Sequence, residues 1–191
     1  GGNVSLYNET LGEPIDPTPV VGIVGLLRTG PPLTTGFKQP GRAVILLGGL
    51  GGCDDARFGA TEYAKVLLGQ TWGLPPLLDM EYEKRVQAAM REIAAAGLAE
   101  SAHDLSDGGL AVAAAECSFN PAGVGAELEL DEAMRPEFLL FHEGPSRILI
   151  STARPEKIGE IARKHGVEAP QVGLTMEDRL VIRIGGSVRA G

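Results

Sequence analysis

Apolar positions in this chain fall into short continuous runs and longer periodic ones. Two continuous runs, Val20–Leu27 and Arg42–Leu47, are rich in Val, Ile and Leu, which predicts strands buried on both faces. The periodic signal is clearest from Met80 to Ala96. There Tyr82, Val86, Ala89, Met90 and Ile93 recur on one helical face, Asp79 can cap the start, Glu81 and Glu83 favour its positive end, and Gly97 stops it. A second helix is expected from about Gly108 to Cys117, with Leu110, Ala113, Ala114 and Cys117 inward, and a third over Phe58–Leu68. A short approach strand is read at Ala99–Ser101, and further strands at Gly125–Leu130, Arg147–Thr152 and Leu180–Ile184. Between the last two, Pro155 opens a helix that runs to Lys164 and closes at Gly166. Elements in this order predict an α/β (α+β) fold, a mixed sheet packed with helices.

The glycine turn Gly1-Gly2-Asn3 runs straight into a strand, so the chain is read as an excised fragment. Asn8–Pro19 is turn-rich, and residues 28–41, with Gly30, Pro31, Pro32, Gly36, Pro40 and Gly41, form the best linker. Gly and Pro supply 27 and 13 of the 191 residues, which is high but short of the low-complexity range. A formal charge of −8 argues against a nucleic-acid partner. Only Cys53 and Cys117 are present, in no pairing frame, and no apolar run could span a bilayer. These features place the chain in the cytoplasm, with no membrane partner.

Candidate chemistry gathers first at His103-Asp104-Leu105-Ser106-Asp107-Gly108-Gly109-Leu110. A helix starting near Gly108 would turn unpaired N–H groups toward an anion, and two glycines would let a phosphate approach. Asp104 and Asp107 could hold a metal ion, or simply cap the helix; Asp-Gly-Gly before a helix is common. His103, with no Cys or His at ligand spacing, reads more readily as a structural residue. Gly1-Gly2-Asn3-Val4-Ser5 could line a phosphate or a magnesium-bound polyphosphate, although a polar turn before a strand explains it more simply. Gly48–Cys53 lacks both the P-loop and the dinucleotide pattern and reads as a mobile loop. Phe141–Arg147 could present Glu143 and Arg147 to a ligand, or form a surface turn with a local ion pair. Cys117, on an apolar helix face, belongs to the core.

In order along the chain, Gly2–Glu9, Pro17–Gly22, Leu77–Asp79 with Glu81, Ser101–Leu110 and Phe141–Arg147 resemble the second half of the formylglycinamide ribonucleotide amidotransferases, in their glutaminase-lacking bacterial form. These enzymes, also called phosphoribosylformylglycinamidine synthases, belong to the aminoimidazole-ribonucleotide-synthetase-like superfamily. The resemblance implies that residues 1–38 are the tail of an ATP-binding subdomain. Residues 39–191 would then be its C-terminal-type partner, cut before a last helix.

It also implies an ATP-dependent C–N ligase of purine biosynthesis, using Mg²⁺ and taking formylglycinamide ribonucleotide as substrate. In that family ammonia arrives from a glutaminase subunit, a small accessory subunit completes the assembly, and this chain without the missing N-terminal half would be inactive. Carried over by position, Gly2 contacts ATP, Asn3 binds the metal and Ser5 contacts the ribonucleotide. His103, Asp104, Asp107, Gly108 and Gly109 become auxiliary nucleotide candidates, and no catalytic residue is assigned. Two stretches depart from the family pattern. Phe58–Tyr63 stands for Gly-Gly-Ser-Glu-Tyr, and Phe141–Arg147 stands for Ser-Glu-Ser-Gln-Ser-Arg. Two other readings stay open: a non-catalytic structural or nucleotide-holding module, and another superfamily enzyme such as aminoimidazole ribonucleotide synthetase or selenide water dikinase.

Overall fold

A computed structural model describes residues 2–5, 9–14, 18–26, 32–131, 134–185 and 187–189, with backbone alone for residues 2–5, 10, 18–20 and 187–189. The chain divides into two units, Gly1–Pro32 and Leu33–Gly191. In the first, β1 (Gly2–Ser5), β2 (Glu9–Thr10), β3 (Glu13–Pro14) and β4 (Thr18–Val21) form two antiparallel pairs, β1 with β4 and β2 with β3. The β2–β3 turn places Leu11 at φ 56° and Gly12 at φ 81°, the double positive φ of a tight hairpin. The buried strand expected over Val20–Leu27 is formed only in part: Val20 and Val21 belong to β4, residues 22–26 lie in no strand, and Val21, Ile23, Val24 and Leu26 are exposed. Leu27 lies outside the described residues.

The second unit runs β5 (Ala43–Leu47), α1 (Asp55–Phe58), α2 (Glu62–Leu68), α3 (Met80–Ala95), β6 (Ser101–Asp104), α4 (Gly109–Ser118), β7 (Val124–Leu130), α5 (Pro136–Phe141), β8 (Ile148–Thr152), α6 (Pro155–His165), β9 (Gln171–Glu177), β10 (Leu180–Ile184) and β11 (Ser187–Arg189). Its strands make one seven-stranded sheet in the order β11-β10-β7-β9-β5-β8-β6. The β10–β7 pair is parallel and the remaining pairs are antiparallel, so the sheet is mixed and the expected fold class holds.

Alternation along the strands builds two cores. Val44 and Leu46 of β5, Leu149 of β8, and Val124, Ala126, Leu128 and Leu130 of β7 face α4, where Leu110, Ala113, Ala114 and Cys117 meet them. Ala43, Ile45 and Leu47 of β5 and Ile150 of β8 face the other way, onto Val86, Ala89 and Ile93 of α3 and Ile158 and Ala162 of α6. β5 is therefore buried on both faces, which explains its unbroken apolar run. Each fully buried Leu or Ile contributes roughly 1.5–3 kcal/mol.

The Met80 helix takes its expected face, and the Asp79 carboxylate accepts from the N–H groups of Glu81 and Tyr82. The Phe58–Leu68 helix comes in two pieces. The chain breaks at Gly59–Thr61, where the Thr61 hydroxyl caps α2 by accepting from Ala64 N–H. Within the expected linker, residues 28–31 lie outside the described ones. Further on, Phe37 is buried among the α4-side core residues, and its N–H donates to Cys117 O at 2.8 Å. Among the described residues no helix is long and apolar enough to cross a membrane.

Candidate functional site

Four segments meet at one end of the second unit: the glycine loop after β5, the α1–α2 turn, the β6–α4 turn and the loop from α5 to β8. The turn into α4 is shaped by glycine. Gly108 and Gly109 take φ 77° and 64°, and a Cβ on Gly109 would stand 2.5 Å from the His142 carbonyl oxygen. Into this space comes Glu143. One oxygen of its carboxylate accepts from Gly108 N–H at 2.8 Å and from Glu62 N–H, also at 2.8 Å. A carboxylate of the chain itself thus satisfies amides at the starts of α4 and α2, the groups whose partial positive charge attracts anions.

His142 and Arg147 lie beneath that loop, both buried. Gly144 N–H donates to His142 Nδ1 at 3.2 Å, so the ring proton sits on Nε2 and is donated to Leu50 O at 2.8 Å. In this tautomer Nε2 cannot also accept from Arg147 Nη1, 2.9 Å away. The other guanidinium nitrogens donate to Gly144 O at 2.9 Å and His142 O at 2.7 Å. No carboxylate pairs with Arg147 among the described residues. Burial lowers its pKa to about 10. Burial first, then the neighbouring Arg147 charge, lowers His142 to about 4, so the imidazole is neutral at pH 7.

A hollow of about 400 Å³ opens beside this loop, bounded by Cys53, Asp54, Arg57, Leu77, His142 and Glu143. Burial, then the Asp54 charge, raises the Cys53 pKa, so it is held as a thiol and not as an activated thiolate. Cys117 is buried in the core with its pKa pushed up to about 12, which leaves it inert.

The structure brings His103, Asp104, Asp107, Gly108 and Gly109 onto one strand-to-helix turn. Within that turn, His103 Nε2 lies 2.9 Å from Glu116 Oε2 and Nδ1 lies 2.6 Å from Asp104 O. The Asp104 and Asp107 side chains are exposed, and neither caps α4, whose N-cap is Gly108 with no side-chain bond. No cluster of three or more His, Cys, Asp or Glu residues able to hold a metal ion occurs among the described residues.

Gly2, Asn3 and Ser5 lie in β1, opposite Val21, Val20 and Thr18, and their side chains are outside the described ones. The sequence pattern read Phe141–Arg147 as presenting Glu143 and Arg147 to a ligand or as a surface turn with a local ion pair. In the structure Glu143 accepts from two backbone amides, and the buried Arg147 donates to the Gly144 and His142 carbonyls. No sequence signal joins residue 143 to amides 81 and 35 positions away.

A mixed sheet with helices on both faces, walled at one end by glycine turns, defines a class shared with known proteins. Residues 39–185 match the family described as AIR synthase related protein, C-terminal domain, and the chain belongs to that family. It is 47% identical to phosphoribosylformylglycinamidine synthase subunit PurL of Moorella thermoacetica, over 97% of this chain and 25% of that protein. A T. maritima PurL complexed with FGAR superposes with a TM-score of 0.69 at 26% identity, covering 82% of this chain and 27% of that one. E. coli HypE, a hydrogenase maturation protein, shares the fold alone, with a TM-score of 0.56 and 16% identity over 86% of this chain and 53% of that one. The chain spans about a quarter of the length of the curated relatives it matches.

Proposed function

We propose that this chain is part of an ATP-dependent C–N ligase of purine biosynthesis. The reaction converts formylglycinamide ribonucleotide and ammonia, released from glutamine, into formylglycinamidine ribonucleotide with ADP and phosphate. The observation that carries this reading is the 47% identity to a phosphoribosylformylglycinamidine synthase subunit over 97% of the chain. The T. maritima PurL complexed with FGAR, similar in fold and sequence, supports the substrate class. Residues 1–38 would close an ATP-binding subdomain, and residues 39–191 would form its C-terminal-type partner.

By resemblance, Gly2 contacts ATP, Asn3 binds Mg²⁺ and Ser5 contacts the ribonucleotide. ATP with Mg²⁺, when bound, would activate the formamide oxygen as a leaving group. Turnover would need the N-terminal half of a longer chain, together with a glutaminase and a small accessory subunit, in the cytoplasm. The test is amidination with ammonium by the parent-length protein. Asn3→Ala should lower its turnover at least about tenfold, as loss of a metal contact does. A parent protein unable to make the amidine overturns the function, whereas an active Asn3→Ala variant overturns only the metal role.

A second reading concerns the α4 turn, where Glu143 occupies the Gly108 amide. His103, Asp104, Asp107, Gly108 and Gly109 could flank an auxiliary nucleotide only if Glu143 withdraws and frees that amide for a phosphate. Calorimetry with ADP and Mg²⁺ would then show tighter binding in Glu143→Ala, which leaves that amide without an acceptor, than in the wild type. No binding in either leaves this domain a structural role.

A further inference from the structure

Asp107-Gly108 is the only Asp-Gly pair of the chain, and Asn-Gly does not occur. This dipeptide carries a chemistry of its own, because a glycine nitrogen has no neighbouring Cβ to shield it from the preceding side-chain carboxyl. The nitrogen attacks Cγ, the N–Cγ bond forms as the nitrogen loses its proton, and the carboxyl hydroxyl leaves as water. Water then opens the five-membered imide at either carbonyl. One opening restores aspartate, and the other leaves the backbone routed through the side chain as isoaspartate. The Asp107 side chain is exposed and caps no helix, so the restraint on this reaction lies in the backbone.

That backbone is set against ring closure. Gly109 N–H donates to Ser106 O at 3.0 Å, closing a four-residue turn over residues 106–109. Gly108 has φ 77° and ψ 2°, and Asp107 is not among the residues of positive φ. The turn is therefore type II, in which the residue at the Asp107 position has ψ of about +120°. The imide ring places Cβ and the following nitrogen on the same side of the Cα–C bond. It needs the mirror-image ψ of about −120°, as in a type II′ turn, so the 107–108 peptide plane must first swing by about 120°. Two contacts oppose that swing. Gly108 is buried against Val112, whose Cγ2 would stand 2.3 Å from a Cβ built there. Its N–H is held by the Glu143 carboxylate at 2.8 Å, and a negative charge so close also disfavours loss of the proton from the attacking nitrogen.

We infer that Asp107-Gly108 is a latent isoaspartate site, kept closed in the folded protein by the type II turn and its Glu143 contact. Conversion would add a methylene to the backbone at the start of α4. It would also displace Gly109 from its close approach to His142 O, which a residue with a Cβ could not make. Glu143 thus guards the covalent structure of the turn as well as its shape. The inference rests on the geometry of the turn, and not on the activity proposed above.

Prolonged incubation of the parent-length protein, followed by peptide mapping, reads isoaspartate at residue 107, and methyl transfer by an isoaspartyl methyltransferase reads it independently. Wild-type Asp107 should remain aspartyl in buffer over a period in which the same protein in urea converts. Native Glu143→Ala should convert at least about fivefold faster than wild type, the factor that loss of one hydrogen bond gives. Glu143→Gln, which keeps an acceptor without the charge, should lie between them. Asp107→Asn retains Glu143 and so does not depend on the folding of the alanine variant. Its asparagine closes the same ring with loss of ammonia, and it should deamidate in urea and resist in buffer. Conversion in buffer at the rate seen in urea, in wild type or in Asp107→Asn, overturns the inference. A folded Glu143→Ala protein that converts as slowly as wild type overturns the guarding role of Glu143.

Discussion

Glu143 holds the loop end of the domain together through a single oxygen. Two amides from helix starts that are remote in sequence depend on it, and neither has another partner of comparable charge. Glu143→Ala should cost about 1–3 kcal/mol, the penalty for stranding part-buried donors, while Glu143→Gln keeps an acceptor and should cost less. Urea midpoints would rank them, and an alanine variant as stable as wild type would show that water replaces the carboxylate. His142 makes a different demand. Its folded pKa of about 4 lies below the ordinary 6.5, so the unfolded chain takes up its proton first as pH falls. The stability it contributes is therefore full above pH 6.5 and drains away as pH falls from 6.5 to 4. Its ceiling is on the order of 3 kcal/mol. His142→Gln should flatten that limb when the pH dependence of its unfolding free energy is subtracted from wild type. Parallel curves would refute the buried neutral imidazole.

At the scale of elements, local signals carried their own weight and tertiary ones did not. Asp79 and the Met80 helix were legible because capping and 3.6-residue periodicity are written within a few residues of each other. Asp79→Ala should cost about 1 kcal/mol, measurable as a lowered melting temperature. The Gly108–Cys117 helix was legible too, but the anion that satisfies its start was not, because Glu143 arrives from 35 residues away. β9 escaped notice although Val172, Leu174 and Met176 alternate: the register shifts at a bulge against Val44–Ile45, so Val172 and Thr175 are buried while Leu174 is exposed, and the sequence period does not follow the burial. α5 was missed because six residues are too few for helical periodicity to register. The run from Val20 was legible only in part: its apolar residues belong to a strand as far as Val21, while Ile23, Val24 and Leu26 are exposed outside it. Gly109→Ala tests the α4 turn directly. Both its φ of 64° and the 2.5 Å approach to His142 O forbid a side chain, so alanine should destabilise by more than about 1 kcal/mol here, where in an ordinary helix position it would stabilise.

For the domain as a whole, the sheet is a partition. Neighbouring residues of β5 and β8 send side chains into two cores that share a backbone but no packing: Leu46 and Leu149 toward α4, Ile45 and Ile150 toward α3 and α6. Sites far apart that share no packing partner respond to volume changes nearly independently. Ile45→Val and Ile184→Val, one in each core, should each cost about 0.5–1.5 kcal/mol and should add to within roughly 0.5 kcal/mol when combined. Ile45 and Ile150 are direct cross-strand partners in the same core, so Ile45→Val with Ile150→Val should depart from additivity. Chemical denaturation of the two double-mutant cycles reads both quantities. Strong coupling across the sheet would mean the two layers fold as one packed body. Its absence would let the α4 face, with its glycine turn and Glu143 anchor, accept substitution independently of the α3–α6 layer behind it.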